Sequence, residues 1–185
     1  MNNYKSANTY IRCLYSQGYS SLMLSFLKTN LVFGFTPYIG KDSTGQSQYC
    51  REKFLSTSVN YEGASYFYQT AMLIIKETDP KKQITAKLLC NNNTTLILEY
   101  KPDEDNQMSA YLVINKNNDT IKFKFKIYQY QEWEEGQVVT KIIQAGLGLF
   151  LKVLEAYLIG TGANNHLNKL SEEFLESHEI YEQIP

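Results

Sequence analysis

The sequence predicts an α+β domain, with antiparallel strands through most of its length and one long helix near its end. Three observations carry this expectation. Runs of β-branched and aromatic residues recur through positions 10–130, polar turn clusters separate them, and over 134–159 the apolar spacing changes from two residues to three and four. The 185 residues, 43% hydrophobic and 20% charged, are enough for one ordinary core without disulfide or metal staples.

Between positions 10 and 59 the runs YIRCLYS, LMLSFL, LVFGFTPYI and FLSTSV supply three or four strands. Gln17-Gly18, Lys28-Thr29-Asn30 and the polar loop 40–48 separate them. Positions 62–70 fit a short helix or a strand equally, and 71–76 read as a strand stopped at Asp79-Pro80. A second set follows: ITAKLL (84–89), TLILEYK (95–101), AYLVIN (110–115) and TIKFKFKIYQY (120–130). Asn91-Asn92-Asn93 and the loop 102–107 are turns, since Asn and Asp tolerate turn conformations. The spacing is that of a meander, and the order permits two unequal sheet-forming halves.

The helix is predicted over 134–159. Glu134 and Glu135 suit the positive end of a helix dipole. Val139, Ile142, Ile143, Leu147, Phe150, Val153, Leu154, Tyr157 and Leu158 form its apolar stripe, and Gly160-Thr161-Gly162 is the expected stop. Leu149 and Leu151 broaden the stripe, which suits cover on two sides, either within one chain or between the sheet and a partner subunit. The expected division is a folded domain over 1–165 and an acidic tail or helix over 166–185.

The net charge of −1 hides an asymmetry. Glu172, Glu173, Glu176, Glu179 and Glu182 crowd positions 171–185 without any Lys or Arg, leaving 18 basic against 14 acidic residues elsewhere. Such a body suits modest polyanion binding, and the acidic tail either competes for that surface or is plainly solvated. Cys13, Cys50 and Cys90 are widely spaced, which suggests neither a disulfide framework nor a zinc site and fits a reducing compartment. Lys152 and Glu155 interrupt the longest apolar stretch, and the start has no signal or transit pattern. A cytoplasmic protein without a membrane span, metal or cofactor is expected.

Enzyme signatures are poor. His166 and His178 lie beyond the predicted helix, no Ser, His and Asp set or HExxH pattern is present, and Gly146-Leu147-Gly148 falls in a helix-period segment rather than after a strand. The strongest chemical pattern is Lys122, Lys124 and Lys126 alternating with Phe123, Phe125 and Ile127. Strand geometry puts the three lysines on one side, and Tyr128 and Tyr130 extend the run. Cations that attract phosphate beside rings that stack on bases resemble a platform for single-stranded nucleic acid. A lysine-rich edge strand protected from aggregation has the same pattern. Basic and aromatic residues also meet at Tyr10, Arg12 and Tyr15, and at Tyr49, Arg51 and Lys53. Regular alternation puts Tyr10 with Arg12 and leaves Tyr15 on the other face.

Several stretches in order resemble the Whirly family of single-stranded DNA-binding proteins and, more distantly, the trypanosome mitochondrial RNA-binding proteins and PC4-like proteins of the same fold. LKTNLVFGFTPYIG is similar to the family's "DGFLLLEFAPA", QYCREKFLSTSVNYEGASYF to "YDWSRKQVFSLSVTEIGTL", and GLGLFLKVLEAYLIG to "FAVLKSAFNFVLPHLIG". The resemblance spans about 10–160. It implies two antiparallel four-stranded sheets packed across each other, helices at the base, and tetramers joined through the C-terminal helix. It also implies single-stranded nucleic acid along the sheet edges. Matched by position, Tyr10 and Arg12 fall on the family's "KGKAAL", Tyr49, Arg51 and Lys53 on "YDWSRKQ", and Phe54, Ser56 and Ser58 on "VFSLS". With Lys122, Lys124, Lys126 and Tyr128 from the alternating strand, these are the candidate binding residues. The function expected is non-enzymatic binding of single-stranded DNA by a homo-oligomer with little sequence preference. The alternatives are RNA binding on the same fold, and an interaction subunit that has lost nucleic-acid binding.

Overall fold

The structure, a computed structural model, describes the backbone at 9–15, 19–27, 29–77, 79, 81–91 and 93–179; within these segments the side chains of 9–15, 27, 130, 140–143 and 163–179 are left undescribed. The chain runs β1 (Thr9–Tyr15), β2 (Ser21–Leu27), β3 (Asn30–Thr36), β4 (Tyr38–Lys41), β5 (Ser47–Tyr49), β6 (Leu55–Val59) and α1 (Tyr61–Lys76). It continues β7 (Ile84–Cys90), β8 (Thr94–Pro102), β9 (Met108–Lys116), β10 (Asp119–Lys124), β11 (Tyr128–Glu134), β12 (Gln137–Ile143) and α2 (Ala145–Glu179). The strands pair antiparallel in the orders β1-β2-β3-β6 and β10-β9-β8-β7, and two hairpins, β4–β5 and β11–β12, stand apart from these ladders. The expected α+β class, with antiparallel sheets and a long C-terminal helix, is what the structure shows.

Each half is therefore a meander followed by a helix, with one hairpin added. Alternation builds the inner faces: Leu22 and Leu24 on β2, Leu31, Phe33 and Phe35 on β3, Leu96 and Leu98 on β8, Leu112 and Ile114 on β9, and Phe123 on β10 are all buried. Ala64, Phe67, Ala71 and Ile74 of α1 join the same apolar cluster, as do Leu147, Phe150, Leu154 and Tyr157 of α2. Phe33 meets Phe67 and Phe150 edge-on, with ring centroids 6.3 and 6.1 Å apart. Both halves and both helices thus share one core.

Four local expectations are corrected. Positions 62–76 form one helix, α1: the Asn60 side chain accepts a hydrogen bond from the Gly63 N–H at 3.1 Å, and the buried residues recur at helical spacing. Positions 71–76 read as a strand, but the core on one side of the helix decides. LVFGFTPYI breaks at Pro37 into β3 and β4. The run 120–130 ends as a strand at Lys124: Phe125 keeps the inward side of the alternation, against Phe150 (5.2 Å between centroids) and with its N–H on the Ala110 carbonyl at 2.9 Å, and past it the Lys126 carbonyl accepts from the Gly146 N–H at 2.9 Å.

The fourth correction concerns the long helix, which starts at Ala145 rather than near 134. Residues 134–143 instead turn through Glu135 (φ 49°) and Gly136 (φ 81°) into β12. Positive φ at two central residues marks a type I′ hairpin turn, and Val138, Val139, Ile142 and Ile143 are β-branched. At the other end the helix passes through Gly160-Thr161-Gly162 to Glu179. Neither glycine adopts the left-handed conformation that would end it.

The halves share one local device. Asp42 and Asp103 each open a five-residue turn closed by Gln46 and Gln107, with Gly45 (φ 82°) and Asn106 (φ 60°) in the left-handed position. In each, Oδ1 of the aspartate accepts two backbone N–H groups, from Thr44 and Gln46 at 2.9 Å, and from Asp105 and Gln107 at 3.0 and 2.8 Å. The segment Ala145–Gly162 has the length and mean hydropathy, 1.3, of a membrane-crossing helix. Its Leu147, Phe150, Val153, Leu154 and Tyr157 close the core described above.

Candidate nucleic-acid interface

Alternation brings Lys122 and Lys124 to the outer face of β10, opposite Val113 and Tyr111 of β9. Their charges are already engaged. Lys122 Nζ lies 3.7 Å above the Tyr111 ring and 3.9 Å from Glu99 Oε1, which Lys101 also approaches at 2.8 Å. Lys124 Nζ bonds to Asp103 Oδ2 at 2.7 Å. Burial opposes ionisation of Asp103, but the hydrogen bonds from Lys124, the Gln107 N–H and the Ser109 hydroxyl outweigh it and hold the carboxyl at about 2. Burial pushes the Lys122 ammonium down and the Tyr111 hydroxyl up. Tyr111 is covered, with Tyr19 packed at 6.1 Å and the Lys122 ammonium over its face. Ser20 donates from its N–H and Oγ to the Lys122 carbonyl, at 3.4 and 2.9 Å, so the β1–β2 connection is joined to the β10 edge.

Lys126 and Tyr128 do not extend this stripe. Lys126 sits after the strand end, and Tyr128 opens the separate hairpin β11–β12, where it is exposed. The alternation of TIKFKFKIYQY gave no sign of the break that follows Phe125. Tyr111, Tyr19, Glu99 and Asp103 were missed as partners. The meander spacing alone could have placed Tyr111 opposite Lys124.

The second set of candidates comes together at the end of β6. Hairpin β4–β5 returns the chain, its Tyr38 and Tyr49 rings meeting edge-on at 6.0 Å and the Cys50 N–H bonding to the Pro37 carbonyl at 2.9 Å. A single 3-10 turn, Arg51–Lys53, then delivers Phe54 to the outer face of the β1-β2-β3-β6 ladder. There the ring lies on Gly34: a Cβ at position 34 would fall 2.7 Å from Phe54 Cζ and 2.9 Å from Met23 Cε. Only glycine leaves room for the ring to lie down, and it remains 41% exposed. Arg51 and Lys53 are exposed beside it, with no ion pair to another described residue.

Ser56 stands opposite Gly34 and Ser58 opposite Val32, both half-buried on that outer face. Because β6 ends its ladder, one side of its backbone takes no strand partner among the described residues. Past Ser58 a cleft of about 200 Å³ opens, lined by Asn30, Ser58, Asn60 and Asn91 together with Leu88, Leu89 and Cys90. Arg51, Lys53, Phe54, Ser56, Ser58 and the amide-lined cleft form a track along one edge strand, roughly 17 Å for its five residues.

Tyr10 and Arg12 lie on β1, at the opposite edge of the same ladder. Register shifts between them, Tyr10 facing Ser25 and Arg12 facing Leu24, so the regular alternation that grouped them does not hold across the shift. Their side chains lie outside the described residues. Among the described residues no group of His, Cys, Asp and Glu is arranged to hold a metal ion. Searches of family models, curated proteins and solved structures return no match to this chain.

Proposed function

We propose that the chain binds single-stranded nucleic acid, DNA in the first instance, without catalysis and with little sequence preference. The observation that carries this reading is the Phe54 ring seated on Gly34 directly after a turn that exposes Arg51 and Lys53, neither of them in an ion pair with another described residue. An open ring stacks on any base, the cations take phosphates, and the Ser56 and Ser58 hydroxyls and neighbouring amides can meet base or sugar edges.

The meander-then-helix order, repeated in the two halves, supports a Whirly-like arrangement of two four-stranded sheets packed across each other. Exposed Leu73 on α1 and Ile159 on α2, on helices that pack together, support assembly of a homo-oligomer, a tetramer by the family resemblance. The free Cys50 and Cys90 suit a reducing compartment such as the cytoplasm. On this reading the apolar side of Ala145–Gly162 serves core and assembly, with no membrane involved.

The engaged state of Lys122 and Lys124 favours a second reading, an interaction subunit whose basic strand is structural. Titration of a labelled single-stranded oligonucleotide, with RNA of matched sequence in parallel, separates the readings. Salt-sensitive binding weakened by Phe54→Ala supports the first, and no binding at low salt supports the second.

A further inference from the structure

Hairpin β11–β12 leaves the body of the fold. Its strands pair along their whole length, from Tyr128↔Ile143 to Glu134↔Gln137, and pack on no other element to a comparable extent. Trp133, 78% exposed, stands opposite Val138, 49% exposed, and Tyr128 at the base is 59% exposed. Glu132 and Glu134 alternate with the indole, and Glu135 occupies the turn, all of them exposed. A two-stranded ribbon standing alone is marginally stable, and an indole so open is a contact surface awaiting a partner.

The exposed carboxylates of Glu132 and Glu135 disfavour a polyanion as that partner and suit a cationic surface with an aromatic or apolar floor. The chain carries one of net positive charge: exposed Arg51 and Lys53, in no ion pair among the described residues, flank the exposed Glu52 and lead into the Phe54 ring. We propose that hairpin β11–β12 is an arm that docks on the Arg51–Lys53–Phe54 face of a second copy of this chain. Its Glu132 and Glu135 meet the two cations and Trp133 meets Phe54, in the places that phosphates and a base would take. The competition with nucleic acid rests on the binding function proposed above; the docking itself does not.

Trp133 is the only tryptophan of the 185 residues, so its emission reports the arm alone. The full chain and its Arg51→Glu/Lys53→Glu variant are compared by tryptophan fluorescence over a dilution series, with oligonucleotide anisotropy measured separately. The wild type should emit at shorter wavelength than the variant at matched high concentration. Mixing the variant with Glu132→Lys/Glu134→Lys/Glu135→Lys chains should restore the shorter wavelength. Identical emission of wild type and Arg51→Glu/Lys53→Glu at every concentration overturns the arm. A shift that responds to the charge variants in a chain that binds no oligonucleotide upholds the arm while refuting the nucleic-acid function.

Discussion

Lys124 and Asp103, 21 positions apart, are joined by a 2.7 Å ion pair on the outer face of the β10-β9-β8-β7 ladder, with the carboxylate 4% exposed. The carboxylate also accepts from the Asp105 and Gln107 N–H groups and the Ser109 hydroxyl, so one residue ties the β8–β9 turn to β10. Asp103→Ala leaves these donors without a partner, and a loss of about 2 kcal/mol is expected in urea unfolding.

The same pair sets an acid limit. The Asp103 carboxyl titrates at about 2 in the fold against 3.8 without it. A depressed folded value means the contribution is full above 3.8 and disappears as pH falls toward 2. Thermal unfolding between pH 5 and pH 2 should show a drop in Tm that is smaller in Asp103→Asn.

Phe54→Ala should weaken oligonucleotide binding by about 1 to 3 kcal/mol, or roughly 5- to 150-fold, with far-UV circular dichroism unchanged. Gly34→Val removes the floor on which the ring lies and should weaken binding comparably. A Gly34→Val chain that folds and binds like wild type would show that the seat of the ring is irrelevant.

Arg51→Ala/Lys53→Ala should lower the slope of log K against log salt by about 1.4, the value for two phosphate contacts on a single strand. Lys122→Ala should change the slope less, since its ammonium already lies beside Glu99 and over Tyr111. An equal change for Lys122→Ala would mean that this lysine leaves its partners for phosphate.

Strand existence was legible wherever period-two patterning met turn chemistry, as in TLILEYK and AYLVIN, because local sequence and core agree there. What failed was set by distant contacts. Positions 71–76 read as a strand until Asn60 and the core made them helical, and nothing in the lysine alternation marks the point past which the Lys126 carbonyl accepts from the Gly146 N–H of α2. The Glu135-Gly136 turn was a readable hairpin signal, masked by apolar residues that also fit a helix period. At the interface, cation positions were visible but their partners were not: nothing near Lys124 in sequence announces Asp103, and the space that admits Phe54 comes from Gly34 on another strand.

The most direct test of the central claim is fluorescence anisotropy of a labelled single-stranded oligonucleotide titrated with wild type and Phe54→Ala at two salt concentrations, with duplex DNA as competitor. The predicted result is binding that falls with salt, resists the duplex and weakens roughly 5- to 150-fold in the variant. Absence of binding at low salt, or equal binding by both proteins, would contradict it.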